Sequence, residues 1–298
     1  MNSESGLVAR IPNPPALAAA LASSGYLTDE GLATALFCAA RLPQPLLLEG
    51  EAGVGKTQAA KALAQMLDTP LIRLQCFEGI DSAEALYEWN YPRQLLSIRV
   101  AEASGNALSE QTLFDRTYLI ERPLLQALEH PGPQPAVLLI DEIDRADEEF
   151  EAFLLEMLAE QSVTVPEIGT LRAQVPPIVI LTSNRTRDLH DALKRRCLYH
   201  WIDYPSQEQA TAIIRLRVPS ADGALAAQIA AAVQRLRSMD VQKPPGIAEA
   251  IDWLHAAMLL GLMNLDAVGV DATLGSVLKY REDQELARER GLAWVAQG

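Results

Sequence analysis

Cysteines, basic residues and long apolar runs are all scarce in this sequence. The three cysteines, Cys38, Cys76 and Cys197, are far apart and form no Cys-x-x-Cys or Cys/His cluster, so neither a zinc site nor a disulfide framework is expected. The longest apolar run, residues 247–265, contains charged side chains, which argues against a membrane span. The first six residues include an acid and lack the basic-then-apolar pattern of a signal peptide. These absences indicate a cytoplasmic protein in a reducing setting.

Acidic residues outnumber basic ones, with 39 Asp and Glu against 25 Lys and Arg, and the formal net charge is −14. A dedicated nucleic-acid-binding protein draws most of its affinity from Lys and Arg on phosphates, so nucleic acid is not an expected partner. The balance still allows a local basic channel, and the net charge favours solubility. The length of 298 residues exceeds that of most compact domains, which predicts one large and one small domain.

The sequence does contain a glycine-rich segment of the phosphate-binding type G-x-x-x-x-G-K-[ST]. Its residues are Gly50, Glu51, Ala52, Gly53, Val54, Gly55, Lys56 and Thr57. An apolar strand precedes the segment and a helix is predicted from Gln58 to Leu67, so backbone N–H groups at a helix N-terminus can surround an anion. In such a loop Lys56 reaches the outer phosphates and Thr57 can ligate Mg²⁺. We therefore predict nucleotide binding by residues 50–58, against the alternative of a glycine-rich turn.

Five apolar, strand-like segments alternate with helical patterns. They are predicted at Leu46–Leu48, Leu71–Gln75, Ala136–Ile140, Ile178–Thr182 and Tyr199–Asp203. The alternation is typical of a parallel sheet covered by helices on both faces, that is, of a three-layer α/β fold. A hairpin is predicted within 162–174, and the pattern after about residue 205 is helical. We predict an N-terminal arm and helix over 1–24, an α/β domain over 25–205 and a small all-α lid domain over 206–298.

The interval of about sixty residues between the second and third predicted strands is longer than one crossover helix needs. Within it, the segment from Tyr87 to Tyr118 contains Trp89, Tyr91 and Arg93 but shows no clear periodicity. No helix or strand is predicted there.

Two acids, Asp141 and Glu142, directly follow the third predicted strand. Acids at the carboxyl end of a sheet strand lie in the crevice where α/β proteins bind ligands. Beside a bound nucleotide, Asp141 would support Mg²⁺ through water, and Glu142 would polarise the attacking water. The alternative is that these acids only favour the start of the next helix, which is also the expectation for Asp144 and Asp147.

Polar residues also mark the last two predicted strands. Asn184 follows the fourth strand, where it could bind the γ-phosphate or the attacking water, or could instead cap a helix. Arg195 and Arg196 precede the fifth strand. A guanidinium delivered to a γ-phosphate stabilises charge in the transition state. The alternative is that these basic residues only balance the dipole at a helix C-terminus.

The order of these motifs resembles that of the AAA+ ATPases over about residues 25–260. Within that superfamily, Asp-Glu-Ile-Asp-Arg-Ala at 141–146 is similar to the Asp-Glu-Ile-Asn-Arg-Ala segment of the MoxR group, which also carries a hairpin at the position of 162–174. The segments 191–200 and 243–253 look most like the CoxD branch of that group. The resemblance implies a Mg²⁺-dependent enzyme that hydrolyses ATP.

Residue by residue, the resemblance implies that Lys56 and Thr57 bind phosphate and Mg²⁺, that Asp141 supports the metal, that Glu142 is the base and that Asn184 is a sensor of the γ-phosphate. Arg196, or alternatively Arg195, would complete the site of a neighbouring subunit in a homo-oligomeric ring, with a hexamer as the expected form.

The resemblance also implies two partners. The partners are a client of the molybdenum-hydroxylase type, whose metal site needs maturation, and a protein with a von Willebrand factor A domain. The alternatives are remodelling of another metabolic enzyme such as Rubisco, a nucleotide-dependent DNA-processing protein, and a scaffold that does not hydrolyse ATP.

The sequence departs from the AAA+ pattern at the start of one lid helix, where many AAA+ proteins present an arginine. Here the segment contains Pro244-Pro245-Gly246 and Glu249, and Lys243 is the nearby basic residue. Sensing of the γ-phosphate by the lid is therefore not implied.

Overall fold

The computed structural model describes residues 11–106 and 108–297, and the chain divides into two compact units. Of its described residues, the first unit contains those up to Ser24 together with Thr28–Glu49 and Ala59–His200. The second unit contains Gly25–Leu27, Gly50–Gln58 and the residues from Trp201 onward. Of the arm and helix predicted over 1–24, residues 1–10 lie outside the described residues.

The strands, in chain order, are β1 (Leu46–Glu49), β2 (Leu71–Gln75), β3 (Tyr87–Trp89), β4 (Leu119–Glu121), β5 (Val137–Asp141), β6 (Ser162–Val165), β7 (Gly169–Arg172), β8 (Ile178–Ser183) and β9 (Leu198–Trp201). The helices of the first part of the chain are α1 (Pro14–Ser23), α2 (Glu30–Ala39), α3 (Lys56–Leu67), α4 (Ser82–Ala85), α5 (Tyr91–Ala103), α6 (Glu110–Leu113), α7 (Pro123–Leu128), α8 (Glu148–Glu160) and α9 (Asp191–Arg196). Those that follow are α10 (Gln207–Arg217), α11 (Gly223–Arg237), α12 (Ile247–Leu259), α13 (Ala267–Val277), α14 (Arg281–Arg290) and α15 (Leu292–Ala296). Short 3₁₀ turns occupy Arg116–Tyr118 and Ile143–Arg145.

The five-stranded parallel sheet predicted from the apolar runs is confirmed, with strand order β2-β5-β8-β1-β9. Every residue of β1, β5 and β8 is buried, as expected for central strands that are covered on both faces. Leu138 and Ile140 of β5 share a core with Leu124 of α7 and with Phe150 and Leu154 of α8. Parallel pairing of β5 with β8 places the carboxyl ends of these two strands side by side.

The last strand differs from its predicted extent of Tyr199–Asp203. It begins one residue earlier and ends at Trp201, and Asp203 lies beyond it, where its carboxylate accepts a hydrogen bond from Trp201 Nε1 at 2.6 Å.

Within the long interval between β2 and β5, the segment from Tyr87 to Tyr118 contains regular structure that the sequence pattern did not predict. β3 and β4 pair antiparallel, with Tyr87 opposite Glu121, and α5 lies between them in the chain. Among the described residues of α5, only Gln94 is buried, while Leu95, Leu96 and Val100 are exposed. A helix without a buried apolar stripe has no amphipathic periodicity to detect.

The hairpin is found where it was predicted. β6 and β7 pair antiparallel from Ser162 opposite Arg172 to Val165 opposite Gly169.

The second unit contains the six helices from α10 to α15, which form a core of their own. Trp253 of α12 is fully buried, and its Nε1 donates a hydrogen bond to Thr273 of α13 at 2.6 Å. The N-terminus of α10 is closed by a capping box in which Ser206 and Gln209 exchange hydrogen bonds. None of the described helices combines the length and the apolar character that crossing a bilayer requires.

Candidate nucleotide-binding and hydrolytic site

The glycine-rich segment forms a tight loop that runs into the N-terminus of α3 at Lys56. A Cβ atom on Gly50 would lie 2.3 Å from the carbonyl oxygen of Ile202, so the backbone leaves no room for any other residue. Gly53 has φ +78°, a left-handed conformation that side chains disfavour. The loop therefore depends on its glycines for its shape. The other predicted residues of the segment, Glu51, Ala52, Val54, Gly55, Thr57 and Gln58, lie in this turn or in the first turn of α3.

Lys56 is buried, and its ammonium lies inside the loop. Its Nζ donates hydrogen bonds to the carbonyl oxygens of Gly50 and Glu51, each at 2.7 Å. Phosphate oxygens carry a full charge and form stronger bonds to an ammonium than neutral carbonyls do. When a phosphate binds, its oxygens can therefore replace these two carbonyl oxygens as partners of the Lys56 ammonium.

The turn before α12 contacts the phosphate loop within the second unit. The N–H of Ile247 donates to the carbonyl oxygen of Gly53 at 3.0 Å. A Cβ on Gly246 would lie 2.8 Å from both the Cα and the carbonyl oxygen of Gly53, so two glycines make the close approach possible. The carboxylate of Glu249 accepts from the N–H of Gly246 at 3.0 Å and fixes this turn.

An arginine does reach this turn, although the sequence shows none at the start of α12. Arg237, at the end of α11, donates from Nε to the carbonyl oxygen of Pro245 at 2.6 Å, and its guanidinium lies 4.3 Å from the ring centroid of Tyr204. Burial lowers the pKa of the Arg237 guanidinium. Arg237 has no distinctive signal in the sequence, because an arginine in the last turn of a helix is an ordinary partner of the helix dipole.

The acid pair lies at the carboxyl end of β5. Thr182 of the neighbouring strand β8 donates from its hydroxyl to Oδ1 of Asp141, and the same hydroxyl accepts from the N–H of Glu142 at 3.0 Å. Glu142 has φ +55°, a left-handed conformation uncommon for a residue with a side chain. One threonine thus fixes both acids at the edge of the sheet.

Side chains from β2 and from the 3₁₀ turn orient the acid pair further. Arg73 donates to Oδ2 of Asp141 from Nε at 3.0 Å and from its terminal nitrogen at 2.6 Å. Oε2 of Glu142 accepts from Gln75 at 3.1 Å and from Arg145 at 3.3 Å. Arg73 and Gln75 were not among the predicted site residues. They lie beside the acids because β2 pairs with β5, with Gln75 directly opposite Asp141.

The negative charge of this group acts on a buried cysteine. Cys76 follows β2, and its N–H donates to the carbonyl oxygen of Asp141 at 2.9 Å. Burial raises the pKa of the Cys76 thiol to about 12, and the charges of Asp141, Asp144 and Glu142 raise it in the same direction.

Asn184 lies just beyond the end of β8, two residues after the threonine that holds the acids. Its backbone N–H donates to Oδ2 of Asp144 at 3.2 Å. Parallel pairing of β5 and β8 therefore brings Asp141, Glu142 and Asn184 to the same edge of the sheet. Asp147 caps α8 through the N–H of Phe150, as expected, whereas Asp144 does not cap that helix and holds the segment after β8 instead.

Arg195 and Arg196 lie in the last turn of α9, and both are exposed. Nη1 of Arg196 donates to the carbonyl oxygen of Leu155 in α8 at 3.3 Å. Both arginines border a surface depression that is also lined by Pro43 and Cys197. Burial raises the pKa of the Cys197 thiol to about 12.

Comparison with known proteins gives a family and a shared fold. The family described as the AAA domain (dynein-related subfamily) matches residues 45–197. Uncharacterized proteins of Staphylococcus aureus strains NCTC 8325 / PS 47 and COL are 27% identical over 207 residues, which cover 67% of this chain and 71% of each relative. Among solved structures, a RuvB mutant of Thermotoga maritima is similar in fold, with a TM-score of 0.50 and 17% identity over 84% of this chain and 69% of that chain.

Proposed function

Because this chain belongs to the dynein-related subfamily of AAA domains and is by that membership an ATP hydrolase, we propose that it binds Mg²⁺–ATP on the loop at residues 50–58 and hydrolyses it with Asp141 and Glu142. The residues of the loop fit bound Mg²⁺–ATP. The loop carries a buried lysine for phosphate, and its Thr57 hydroxyl is an oxygen ligand of the kind that Mg²⁺ prefers. The resemblance to the AAA+ ATPases supports Asp141 as a second oxygen ligand. When bound, Mg²⁺ would neutralise charge on the phosphate oxygens.

Glu142 is the base in this proposal, and its geometry is the observation that supports it most strongly. Gln75 and Arg145 fix its carboxylate, and its backbone N–H is tied to Thr182. A carboxylate held in one orientation at the ligand-binding edge of the sheet can take a proton from an attacking water. Asn184, at the same edge, would hold that water or the γ-phosphate.

We assign the arginine that completes a neighbouring site to Arg196, with Arg195 as the alternative, in a ring that is a hexamer. The exposure of both side chains at the end of α9 supports this role, since an arginine that acts on another subunit has to lie on the surface. Such a contact joins two different surfaces on neighbouring copies of the chain, and it generates a ring when the rotation between copies closes.

Mixing two inactive variants tests the ring proposal. Arg196→Ala subunits keep their own nucleotide site but lack the finger, whereas Lys56→Ala subunits keep the finger but lack a working site. We expect each variant alone to lose hydrolysis by about 1,000-fold and an equimolar mixture to regain turnover. Arg195→Ala is the matched control and should retain most activity. A mixture as inactive as its components would refute the trans-acting arginine, and a loss confined to Arg195→Ala would move the role to that residue.

For the biological role, we propose a chaperone or remodelling ATPase of the MoxR type, CoxD-like, that acts in the cytoplasm. Its client is a molybdenum hydroxylase whose metal site needs maturation, and its partner is a protein with a von Willebrand factor A domain. The segments 141–146, 191–200 and 243–253 support this proposal through their resemblance to that group. The exposed apolar side chains of α5 support it as well, because a helix that buries almost nothing in its own chain offers a surface to a client.

The client proposal has its own experiment. The double variant Leu95→Asp/Leu96→Asp places charges on α5, where both leucines are at least 60% exposed. We expect basal hydrolysis within about twofold of wild type but a loss of about tenfold in maturation of a co-expressed molybdenum hydroxylase, measured as its metal content. Leu259→Asp is the matched control, because this leucine is 88% exposed on α12. Normal maturation by the double variant would contradict contact through α5. Normal maturation in cells that lack the ATPase gene would show that the molybdenum hydroxylase is not its client.

A further inference from the structure

The segment 184–190 joins β8 to α9 and connects two predicted functional groups. Asn184 begins it, and α9, which carries Arg195 and Arg196, follows it directly. Two acids from a different part of the chain hold this segment, and both are almost completely buried. Asp144 is 2% exposed and Glu151 is 1% exposed.

Asp144 binds the first part of the segment through one carboxylate oxygen. Its Oδ2 accepts from the N–H of Asn184 at 3.2 Å, from the N–H of Thr186 at 2.8 Å and from the hydroxyl of Thr186 at 2.7 Å. Its Oδ1 is buried and has no hydrogen-bond partner among residues 11–106 and 108–297. Burying a carboxylate is costly, and here a single oxygen that accepts three bonds offsets that cost.

Glu151 binds the last part of the segment. Its Oε2 accepts from the N–H of His190, the residue that precedes α9, at 2.9 Å, and its Oε1 accepts from the guanidinium of Arg187. Arg187 also donates from Nε to the carbonyl oxygen of Ala146 at 2.9 Å. The start of the arginine-bearing helix is therefore fixed to α8 by a second buried carboxylate.

We infer that Asp144 and Glu151 are positioning residues of the hydrolytic reaction. Asp144 sets the place of Asn184 in its own subunit, and Glu151 sets the place of α9 and hence of the arginine offered to the neighbouring subunit. The inference rests on the proposed function, because it gives each acid a role only through Asn184 or Arg196. Small displacements of a group that contacts the reacting atoms can cost two orders of magnitude in rate.

Two substitutions of Asp144 separate positioning from mere stability. Asp144→Ala removes the acceptor of all three bonds, and we expect kcat to fall by about 10- to 100-fold while KM for ATP changes by less than about threefold. Asp144→Asn keeps an acceptor oxygen, and its amide nitrogen can occupy the position of the unpartnered Oδ1, so we expect kcat within about threefold of wild type. Thr186→Val removes one of the three bonds, and it serves as a milder variant if Asp144→Ala does not fold.

Asp147→Ala is the matched control. It removes an exposed carboxylate that caps α8, so it should lower the free energy of unfolding without changing kcat. Wild-type kcat in Asp144→Ala, or an Asn variant as impaired as the Ala variant, would overturn the role of Asp144.

Mixing subunits distinguishes the two acids from each other. Glu151→Ala should behave like Arg196→Ala, so its lost activity should return when it is mixed with Lys56→Ala subunits. Asp144→Ala should show no such recovery, because its defect lies in its own site. Recovery in both mixtures, or in neither, would overturn the division of roles. Asn184→Ala separates this inference from the proposed function. If Asn184→Ala has the kcat of wild type, Asn184 is not a sensor and that part of the proposed function fails. If Asn184→Ala has a reduced kcat while Asp144→Ala has the kcat of wild type, only the positioning role of Asp144 fails.

Discussion

The phosphate loop and the segment after β8 are held in place by different kinds of contact. The loop relies on backbone contacts: Gly53 and Gly246 touch directly, and the N–H of Ile247 donates to the carbonyl oxygen of Gly53. The segment after β8 relies on the buried carboxylates Asp144 and Glu151. The first kind of contact depends on the absence of side chains and the second on the presence of particular ones. The two regions should therefore respond to opposite kinds of substitution.

Adding a methyl group to the loop should produce the largest effect. The Cβ of Gly50→Ala would lie 2.3 Å from the carbonyl oxygen of Ile202, so the backbone has to move. Overpacking of this kind costs about 1–3 kcal/mol, and we expect ATP to bind at least about tenfold more weakly, as measured by titration with a fluorescent analogue. Gly275→Ala in α13 is the control, because its Cβ meets nothing closer than 3.8 Å, and it should leave binding unchanged. Equal affinity in both variants would contradict the backbone account.

Removing a single hydroxyl at the sheet edge should have a smaller effect. Thr182→Val keeps the shape of the side chain but takes away the donor to Asp141 and the acceptor for the N–H of Glu142. We expect a loss of about 1–3 kcal/mol in the free energy of unfolding and a fall in kcat of about tenfold. Thr182→Ser, which keeps the hydroxyl, should restore kcat. If the serine variant is as slow as the valine variant, the hydroxyl does not orient the acids.

The smallest expected effect is a change in the rate at which the buried thiol of Cys76 is alkylated. Since Cys76 and Cys197 both have a pKa of about 12, their thiols stay protonated at pH 8 and should react slowly with iodoacetamide until the protein unfolds. A raised pKa stabilises the fold below the ordinary value of 9.0, and this contribution declines as the pH rises from 9.0 towards about 12. Asp144→Asn should speed alkylation of Cys76 by about twofold and leave Cys197 unchanged. Rapid native alkylation of Cys76 would contradict the burial and charge described here.

The difference between the two regions also explains what the sequence could predict. The five strands follow from short apolar runs, and the phosphate loop follows from glycines at fixed spacing between a strand and a helix. Both signals are local in the chain. Asp144 and Asn184, in contrast, are 40 residues apart, and a side chain that accepts bonds from backbone N–H groups leaves no pattern in the residues it binds.

Helix α5 was missed for a related reason. Its apolar residues Tyr91, Leu95, Leu96 and Val100 face outward, so the pattern that normally reveals a helix through its buried side is absent. Arg237 was missed because its contacts to Pro245 and Tyr204 depend on how the helices fold back on the turn before α12. Residues of this kind become visible only when the tertiary structure is known.

The proposed role of Glu142 as the base of an ATP-hydrolysing site is open to direct measurement in the variant Glu142→Gln. The glutamine amide has nearly the same size as the Glu142 carboxylate and keeps one oxygen that can accept hydrogen bonds. It cannot act as the base that takes a proton from the attacking water. We expect ATP binding within about twofold of wild type together with a loss of hydrolysis of about 100-fold or more, measured by phosphate release under saturating Mg²⁺–ATP. Wild-type phosphate release by Glu142→Gln would contradict that role.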